Sequence, residues 1–127
     1  MFTNEIEVIT LFVEDIGATR QFYETVFHPD IIYKDDVSAV LKFSGILINL
    51  LQASEAPELV TPLAVAPAGT GTRMLLTIRV DDVDAVCEEL TKRGATMLNG
   101  PIDRPWGRRT AAFADPAGNV WEVAQVI

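Results

Sequence analysis

The 127-residue chain has one cysteine, Cys87, and one histidine, His28. A single cysteine excludes an intramolecular disulfide, which fits a reducing compartment, so we expect a cytoplasmic protein. The first residues lack the basic and apolar regions of a secretion signal. No apolar run approaches the roughly 20 residues that span a bilayer. The sequence therefore predicts neither secretion nor a membrane partner.

Basic residues are also few: 10 Lys and Arg stand against 18 Asp and Glu, a net charge of −8. Nucleic acids and anionic membranes select basic surfaces, so we expect neither as a partner. The acidic balance instead favours a cationic small ligand. A P-loop, a Rossmann glycine fingerprint, a Ser-His-Asp triad and a CxxC pair are all missing, which argues against the enzyme classes that they mark.

The pattern of apolar residues, which with alanine and cysteine make up 49% of the chain, predicts one packed domain over residues 1–127. In the first half, an alternating strand is followed by Asp15, a typical helix N-cap, and by apolar residues at three- and four-residue spacing until Pro29. Three short strands follow. The predicted strands of this half are Glu7–Val13, Ile31–Lys34, Val37–Phe43 and Ile46–Leu51.

The second half repeats the first, with Asp82 as the N-cap and Lys92-Arg93-Gly94 as the helix exit. Its predicted strands are Met74–Val80, Thr96–Leu98, Arg109–Ala114 and Val120–Val126. The first strands of the halves overlay at an offset of 67 positions and the last strands at 73. The six extra residues fit most simply in a loop, Pro101–Arg108. We therefore predict an α+β fold of two βαβββ modules, 5–52 and 73–126, with a connector over 53–72 that has a short helical piece.

The closing segment has three motifs: the loop Pro105-Trp106-Gly107, the turn Asp115-Pro116-Ala117-Gly118-Asn119, and a strand with Glu122 at its centre. In this respect the chain resembles the vicinal oxygen chelate superfamily, which includes glyoxalase I, extradiol dioxygenases and the fosfomycin- and bleomycin-resistance proteins. The resemblance covers nearly the whole chain. Together with the repeat, it implies pseudo-twofold symmetry and a cup-shaped mixed sheet of the glyoxalase/bleomycin-resistance type.

Period-two alternation indicates which side chains face the cup, because residues such as Leu11 and Ile78 must cover the helices. The predicted ligand-binding residues are Thr10, Phe12, Asn49, Thr77, Arg79 and Glu122, with Trp106 at the rim. Each has a plainer alternative. Glu122 is either a base or ligand anchor or a remnant that is hydrogen-bonded to Thr10, Thr77 or Asn49 or paired with Arg79. Arg79 is either in the pocket or solvated. Phe12 and Trp106 are either stacking walls or core. Arg104, Arg108 and Arg109 form either a basic lid with Trp106 or a solvated loop.

The resemblance also allows a test for a metal. Metal-using relatives take four ligands, typically His or Glu, from the first and last strands of each module. The matching positions here are Val8, Asn49, Leu75 and Glu122. Only Glu122 is a strong ligand, and two positions are aliphatic, whereas a catalytic divalent site normally needs about three ligating side chains. We therefore predict no metal and no other cofactor.

The resemblance implies a homodimer, since members of this family commonly form dimers, and the long connector 53–72 gives the reach for one. We therefore predict a metal-free homodimer of the glyoxalase/bleomycin-resistance type that binds a small organic molecule in an apolar cup. Glu122 is the one candidate catalytic residue. One alternative is a lyase, isomerase or dioxygenase that uses Glu122 as base or metal ligand. Another is a structural or regulatory subunit whose own side chains fill the cup.

Overall fold

The computed structural model describes residues 3–72 and 74–127, and the chain divides into an N-terminal unit, Met1–Pro67, and a C-terminal unit, Ala68–Ile127. Each unit has the order strand, helix and three strands, so the prediction of two βαβββ modules is confirmed. Their border lies inside the predicted connector, which holds a 3-10 turn, Ala53–Glu55, and a short helix, α2 (Pro57–Val60). The cup and the twofold axis stay predictions. No helix in the described ranges is long and apolar enough to cross a membrane.

The N-terminal unit is a four-stranded mixed sheet with one long helix. Its elements are β1 (Val8–Val13), α1 (Ile16–Phe27), β2 (Asp30–Lys34), β3 (Ser38–Phe43) and β4 (Ile46–Gln52). The strand order is β1-β4-β3-β2, with β1 parallel to β4 and the other pairs antiparallel. The Asp15 carboxylate accepts a hydrogen bond from the Ala18 amide at 3.0 Å and caps α1, as predicted. The helix ends at His28, in a left-handed conformation (φ 51°) just before Pro29.

Helix α1 covers one face of this sheet, where Leu11, Val13 and Tyr23 are at most 1% exposed. Alternation and register place the remaining side chains on the opposite side, which we call the N-terminal open face. From β1 and β4 it includes Val8, Thr10, Phe12, Leu47, Asn49 and Leu51. The predicted division of β1 into a helix-facing side and a mixed side is therefore confirmed.

The C-terminal unit repeats this arrangement. Its elements are β5 (Leu75–Arg79), α3 (Val83–Lys92), β6 (Thr96–Arg104), β7 (Arg108–Ala114) and β8 (Val120–Val126), in the sheet order β5-β8-β7-β6. Asp82 caps α3 through the Ala85 amide at 3.1 Å. The Gln125 side chain of β8 accepts from the Val83 amide at 2.9 Å, which fixes the start of the helix against the sheet. The C-terminal open face includes Leu75, Thr77, Arg79, Arg108, Thr110, Ala112, Glu122 and Ala124.

The predicted turn before β8 is confirmed, and its first residue holds it together. Asp115 is 5% exposed, a burial that a carboxylate tolerates only with hydrogen-bond partners. It accepts from the Ala117 amide at 2.9 Å, from the Asn119 amide at 2.8 Å and from the Asn119 side chain at 2.8 Å. Gly118 takes the positive φ of 88° that the turn requires.

The prediction for the β6–β7 hairpin was wrong. Strand β6 does not end at Leu98 but continues to Arg104, and only residues 105–107 form the turn. Two register shifts, between Met97 and Asn99 and between Asn99 and Ile102, place extra residues inside the strand as bulges. The pair Gly100-Pro101, which indicates a loop in sequence, lies in the second bulge. Most of the extra residues of the second half therefore lie in strands and not in a loop.

Candidate functional site

Each unit has a pair of polar residues at the same place on its open face. Thr10 lies beside Asn49 in the parallel register of β1 and β4, and the Asn49 amide donates to the Thr10 hydroxyl at 3.4 Å. Thr77 lies beside Glu122 in the parallel register of β5 and β8, and the Thr77 hydroxyl donates to the Glu122 carboxylate at 3.0 Å. The two polar pairs therefore occupy equivalent positions of the internal repeat, at its offsets of 67 and 73.

The hydrogen bond from Thr77 explains how a carboxylate is accommodated in mid-strand. Glu122 is half-buried, and of the partners predicted for it, Thr77 is the one observed. The predicted pairing with Arg79 is not among the ion pairs of the described residues. One hydroxyl leaves most acceptor positions of a carboxylate open, so Glu122 can accept from a bound molecule.

The four positions that correspond to the family's metal ligands do not fit a metal. In the N-terminal unit they are Val8 and Asn49, and in the C-terminal unit Leu75 and Glu122. The Val8 and Leu75 side chains are 38% and 52% exposed, so they are accessible but have no ligating atom. Within residues 3–72 and 74–127, no group of three or more His, Cys, Asp or Glu side chains lies close enough together to hold a metal ion.

The N-terminal open face carries larger side chains beside its polar pair. Across the sheet from Asn49 lie Val40 and then Tyr33, while Phe12 lies half-buried on β1. The Tyr33 hydroxyl donates to Asp35 at 2.7 Å, and the same carboxylate accepts from the Val37 amide at 2.9 Å. These hydrogen bonds, chiefly the one from Tyr33, lower the pKa of Asp35 to about 2. The same bond to Asp35 raises the pKa of the Tyr33 hydroxyl.

The C-terminal open face has small residues at its centre and polar residues around them. Thr110, Ala112 and Ala124 are almost fully buried, at 2%, 7% and 3% exposure. Thr77 and Arg79 are exposed on the edge strand β5. Short, buried side chains therefore lie at the centre of this face, with exposed polar side chains at its β5 edge.

Arg104 is held in place on this face. Its Nε donates to the Thr110 hydroxyl at 3.0 Å and one terminal nitrogen donates to the Asn99 side chain at 3.4 Å. Its guanidinium carbon lies 6.0 Å from the centroid of the Trp106 ring, within cation–π range. Trp106 is 67% exposed, which excludes the core alternative for it in this chain.

Arg109 does not belong with Arg104 and Arg108, contrary to the sequence grouping. It faces the helix side of β7, where it donates to both carboxylate oxygens of Asp84, at 2.9 and 3.0 Å, and to Asp103 at 2.9 Å. The Arg109 hydrogen bond is the main reason that the pKa of Asp84 is lowered. Arg109 therefore links α3, β6 and β7 and is a structural residue.

The two rare residues lie off these faces. Cys87 is buried on α3, and burial raises the pKa of its thiol, as expected for an unreactive core cysteine. His28 caps α1. A cavity of about 700 Å³ in the N-terminal unit is lined by Thr3, Glu5, Ile6, Glu7, Lys42, Phe43, Gly45, Ile46 and Leu47, none of them a predicted site residue.

Sequence reasoning missed Asn99 and Thr110, which hold Arg104, and Tyr33, which lies in the row of Asn49. The missing information was the register of β6 and β2, since both strands contain bulges that shift the faces of later residues. The glycine at position 100 was the one local signal for the bulge in β6.

The chain consists of two βαβββ units, and each unit has two hydrogen-bonded polar residues on its open face. These features assign the chain to a class of small proteins built from two such modules. A sequence model of the Glyoxalase/Bleomycin resistance protein/Dioxygenase superfamily matches residues 5–123, and the chain belongs to this superfamily. The suspected relationship is thus confirmed over nearly the whole chain.

Three relatives illustrate the match. A virulence protein of Salmonella typhimurium is 28% identical over all of this chain and 88% of its own length. A glyoxalase/bleomycin resistance protein/dioxygenase from Nocardioides has a TM-score of 0.88 at 23% identity, covering 100% of this chain and 86% of that one, and shows the fold. TnmS3, an antibiotic binding protein from Streptomyces sp. CB03234, has a TM-score of 0.73 at 26% identity, covering 100% and 99%.

Proposed function

We propose that this protein is a metal-free member of the superfamily that binds a small organic molecule on its open faces and acts as a cytoplasmic homodimer. The observation that carries the proposal is the substitution of aliphatic Val8 and Leu75 at family ligand positions, while Thr10–Asn49 and Thr77–Glu122 remain as hydrogen-bonding pairs. Apolar surface with a few fixed polar groups is typical of small-molecule sites. The likeness to an antibiotic binding protein supports binding without chemistry.

Glu122 is the residue on which the proposal is tested. Replacing Glu122 with Gln keeps the size and the hydrogen bond with Thr77 but removes the charge. If Glu122 accepts from the ligand, the loss of this charge-assisted hydrogen bond should weaken binding by about 1–3 kcal/mol, with little change in stability.

The measurement is a thermal-shift screen of drug-like compounds that includes metal-free bleomycin, followed by titration calorimetry. Binding to the folded state raises the melting temperature by mass action. The matched control is Gln in place of Glu89, an exposed carboxylate on α3 that pairs with Arg93. If Glu122→Gln binds every hit as tightly as wild type and is more stable, the acid is a buried remnant and the site lies elsewhere.

The second candidate is a lyase of the same superfamily, favoured by the half-buried carboxylate of Glu122 at a family ligand position. As a general base it would take a proton from a carbon next to a carbonyl group. The test adds Zn²⁺ or Ni²⁺ to the protein with methylglyoxal and glutathione and follows thioester formation. Turnover that Glu122→Gln abolishes would establish the enzyme and end the binding proposal.

A further inference from the structure

The C-terminal open face has a local charge opposite to that of the chain. The chain has a net charge of −8, yet this face carries Arg79, Arg104 and Arg108 against a single carboxylate, Glu122. In the described ranges the ion pairs of arginine involve Arg20, Arg93 and Arg109, and none of the three arginines of this face. Three guanidinium groups without a carboxylate partner among the described residues therefore share this face.

The guanidinium of Arg104 is oriented before any ligand arrives. Thr110 and Asn99 are both neutral and bind Nε and one terminal nitrogen, so the other N–H groups of the fork remain for an acceptor. An arginine held in this way loses little side-chain entropy on binding, and its planar fork matches a carboxylate or a similar oxyanion.

The residues around Arg104 indicate which chemical groups the rest of the ligand should have. Register places Arg79 beside Ala124 and Ala124 beside Thr110, so roughly 10 Å separates the backbone of Arg79 from that of Thr110, the residue to which Arg104 donates. Trp106, two-thirds exposed, offers a flat apolar surface at one end. An exposed indole next to a fixed cation favours a planar ring that bears a negative charge.

We propose that the C-terminal open face binds a flat aromatic anion, with its ring against Trp106 and its oxyanion on Arg104, assisted by Arg79 or Arg108. This inference rests on the proposed function and names its ligand class. It replaces the cationic ligand that the net charge suggests, because net charge averages over a surface whose local sign is reversed here.

The test compares three naphthalene probes of equal shape by titration calorimetry at low salt. These are 2-naphthoate, its neutral amide 2-naphthamide, and the cation 2-naphthylmethylammonium. We expect 2-naphthoate to bind about tenfold or more tightly than the amide, the scale of one charge-assisted hydrogen bond. The cation should bind more weakly still, and the preference should shrink as salt is added.

Variants assign the site. Arg104→Gln should remove the preference for 2-naphthoate over the amide, and Arg104→Lys should retain part of it, because the charge stays while the fork is lost. Trp106→Leu should weaken both probes. Arg93→Gln, at an ion-paired arginine directly after α3 of the same unit, is the control and should leave both affinities unchanged. Unfolding curves must show that each variant is folded.

Two outcomes overturn the inference. One is that wild type binds naphthoate and naphthamide with equal affinity. That result would refute the preference for an anion but would leave the proposal of small-molecule binding intact. The other is naphthoate binding that Arg104→Gln does not alter. Failure of the proposed function would look different, since no compound in the wider thermal-shift screen would then stabilise the protein.

Discussion

Replacing Gly100 with alanine tests whether the second bulge of β6 is built on close contact with β7. Gly100 has φ +88°, and a Cβ there would lie 2.7 Å from the Ala111 Cα and 2.9 Å from the Ala111 Cβ, and against the Thr110 carbonyl oxygen. Carbon atoms normally pack about 3.5–4.0 Å apart, so the two strands would have to separate by about 1 Å. Ala111 is fully buried, which leaves it little room to move.

The matched control is Gly107→Ala in the turn of the same hairpin. Gly107 has φ +82°, but a Cβ there meets nothing within 4 Å. Both substitutions incur the strain of positive φ, about 1–2 kcal/mol. Gly100→Ala adds the steric overlap, and overpacking of a filled site costs about 1–3 kcal/mol. We therefore expect losses of about 2–5 kcal/mol for Gly100→Ala and about 1–2 kcal/mol for Gly107→Ala.

The assay is urea unfolding at 25 °C, monitored by circular dichroism, with the free energy of unfolding taken from the midpoint and the slope. The quantity that decides is the difference between the variants, because the shared backbone strain cancels. If the two losses agree within about 0.5 kcal/mol, the usual scatter of additivity, β6 does not approach β7 as closely as described and the bulge argument fails.

Three further predictions concern pH, metal and assembly. The charge of Asp35 should stabilise the protein above the ordinary carboxyl pKa of 3.8, and this contribution should be lost as pH falls towards about 2; the stability gap between wild type and Asp35→Asn, from acid titration of the urea midpoint, should close over that window. The purified protein should carry no stoichiometric Zn, Ni, Mn or Fe by elemental analysis, and chelator should not shift its melting temperature; one retained metal ion per chain after dialysis would contradict this. Sedimentation should show a homodimer at micromolar concentration, and a monomer would count against it.

The fold was predictable because its signals are local. Asp15 and Asp82 cap the helices that follow them. Each can be recognised in the sequence as an aspartate directly before apolar residues that recur at three- and four-residue spacing. The repeat then made positions of the two halves equivalent, since offsets of 67 and 73 align Thr10 with Thr77 and Asn49 with Glu122. These predictions depend on neighbours in sequence or on the repeat itself.

The hairpin β6–β7 was not predictable because its determinants are contacts between strands. A Gly-Pro pair normally ends a strand, and only the approach of Gly100 to the Ala111 backbone reveals a bulge instead. The same limit affects Arg104 and Arg109. One position of register reverses the face of a residue, so Arg109 could be assigned to the helix side only once Ala112 was paired with Glu122.

The two units also differ in the side chains that cross their open faces. Equivalent rows cross the two open faces: Thr10, Asn49, Val40 and Tyr33 in one unit, and Thr77, Glu122, Ala112 and Asn99 in the other. Where the N-terminal row has valine and tyrosine, the C-terminal row has alanine and asparagine. The Tyr33 hydroxyl is engaged by Asp35, whereas Asn99 turns its side-chain oxygen to Arg104. Equivalent positions of the two rows therefore carry larger side chains in the N-terminal unit than in the C-terminal unit. The face with the smaller residues also carries Glu122 and the three arginines that form no ion pair within residues 3–72 and 74–127, so the proposed binding of a small molecule rests chiefly on the C-terminal unit.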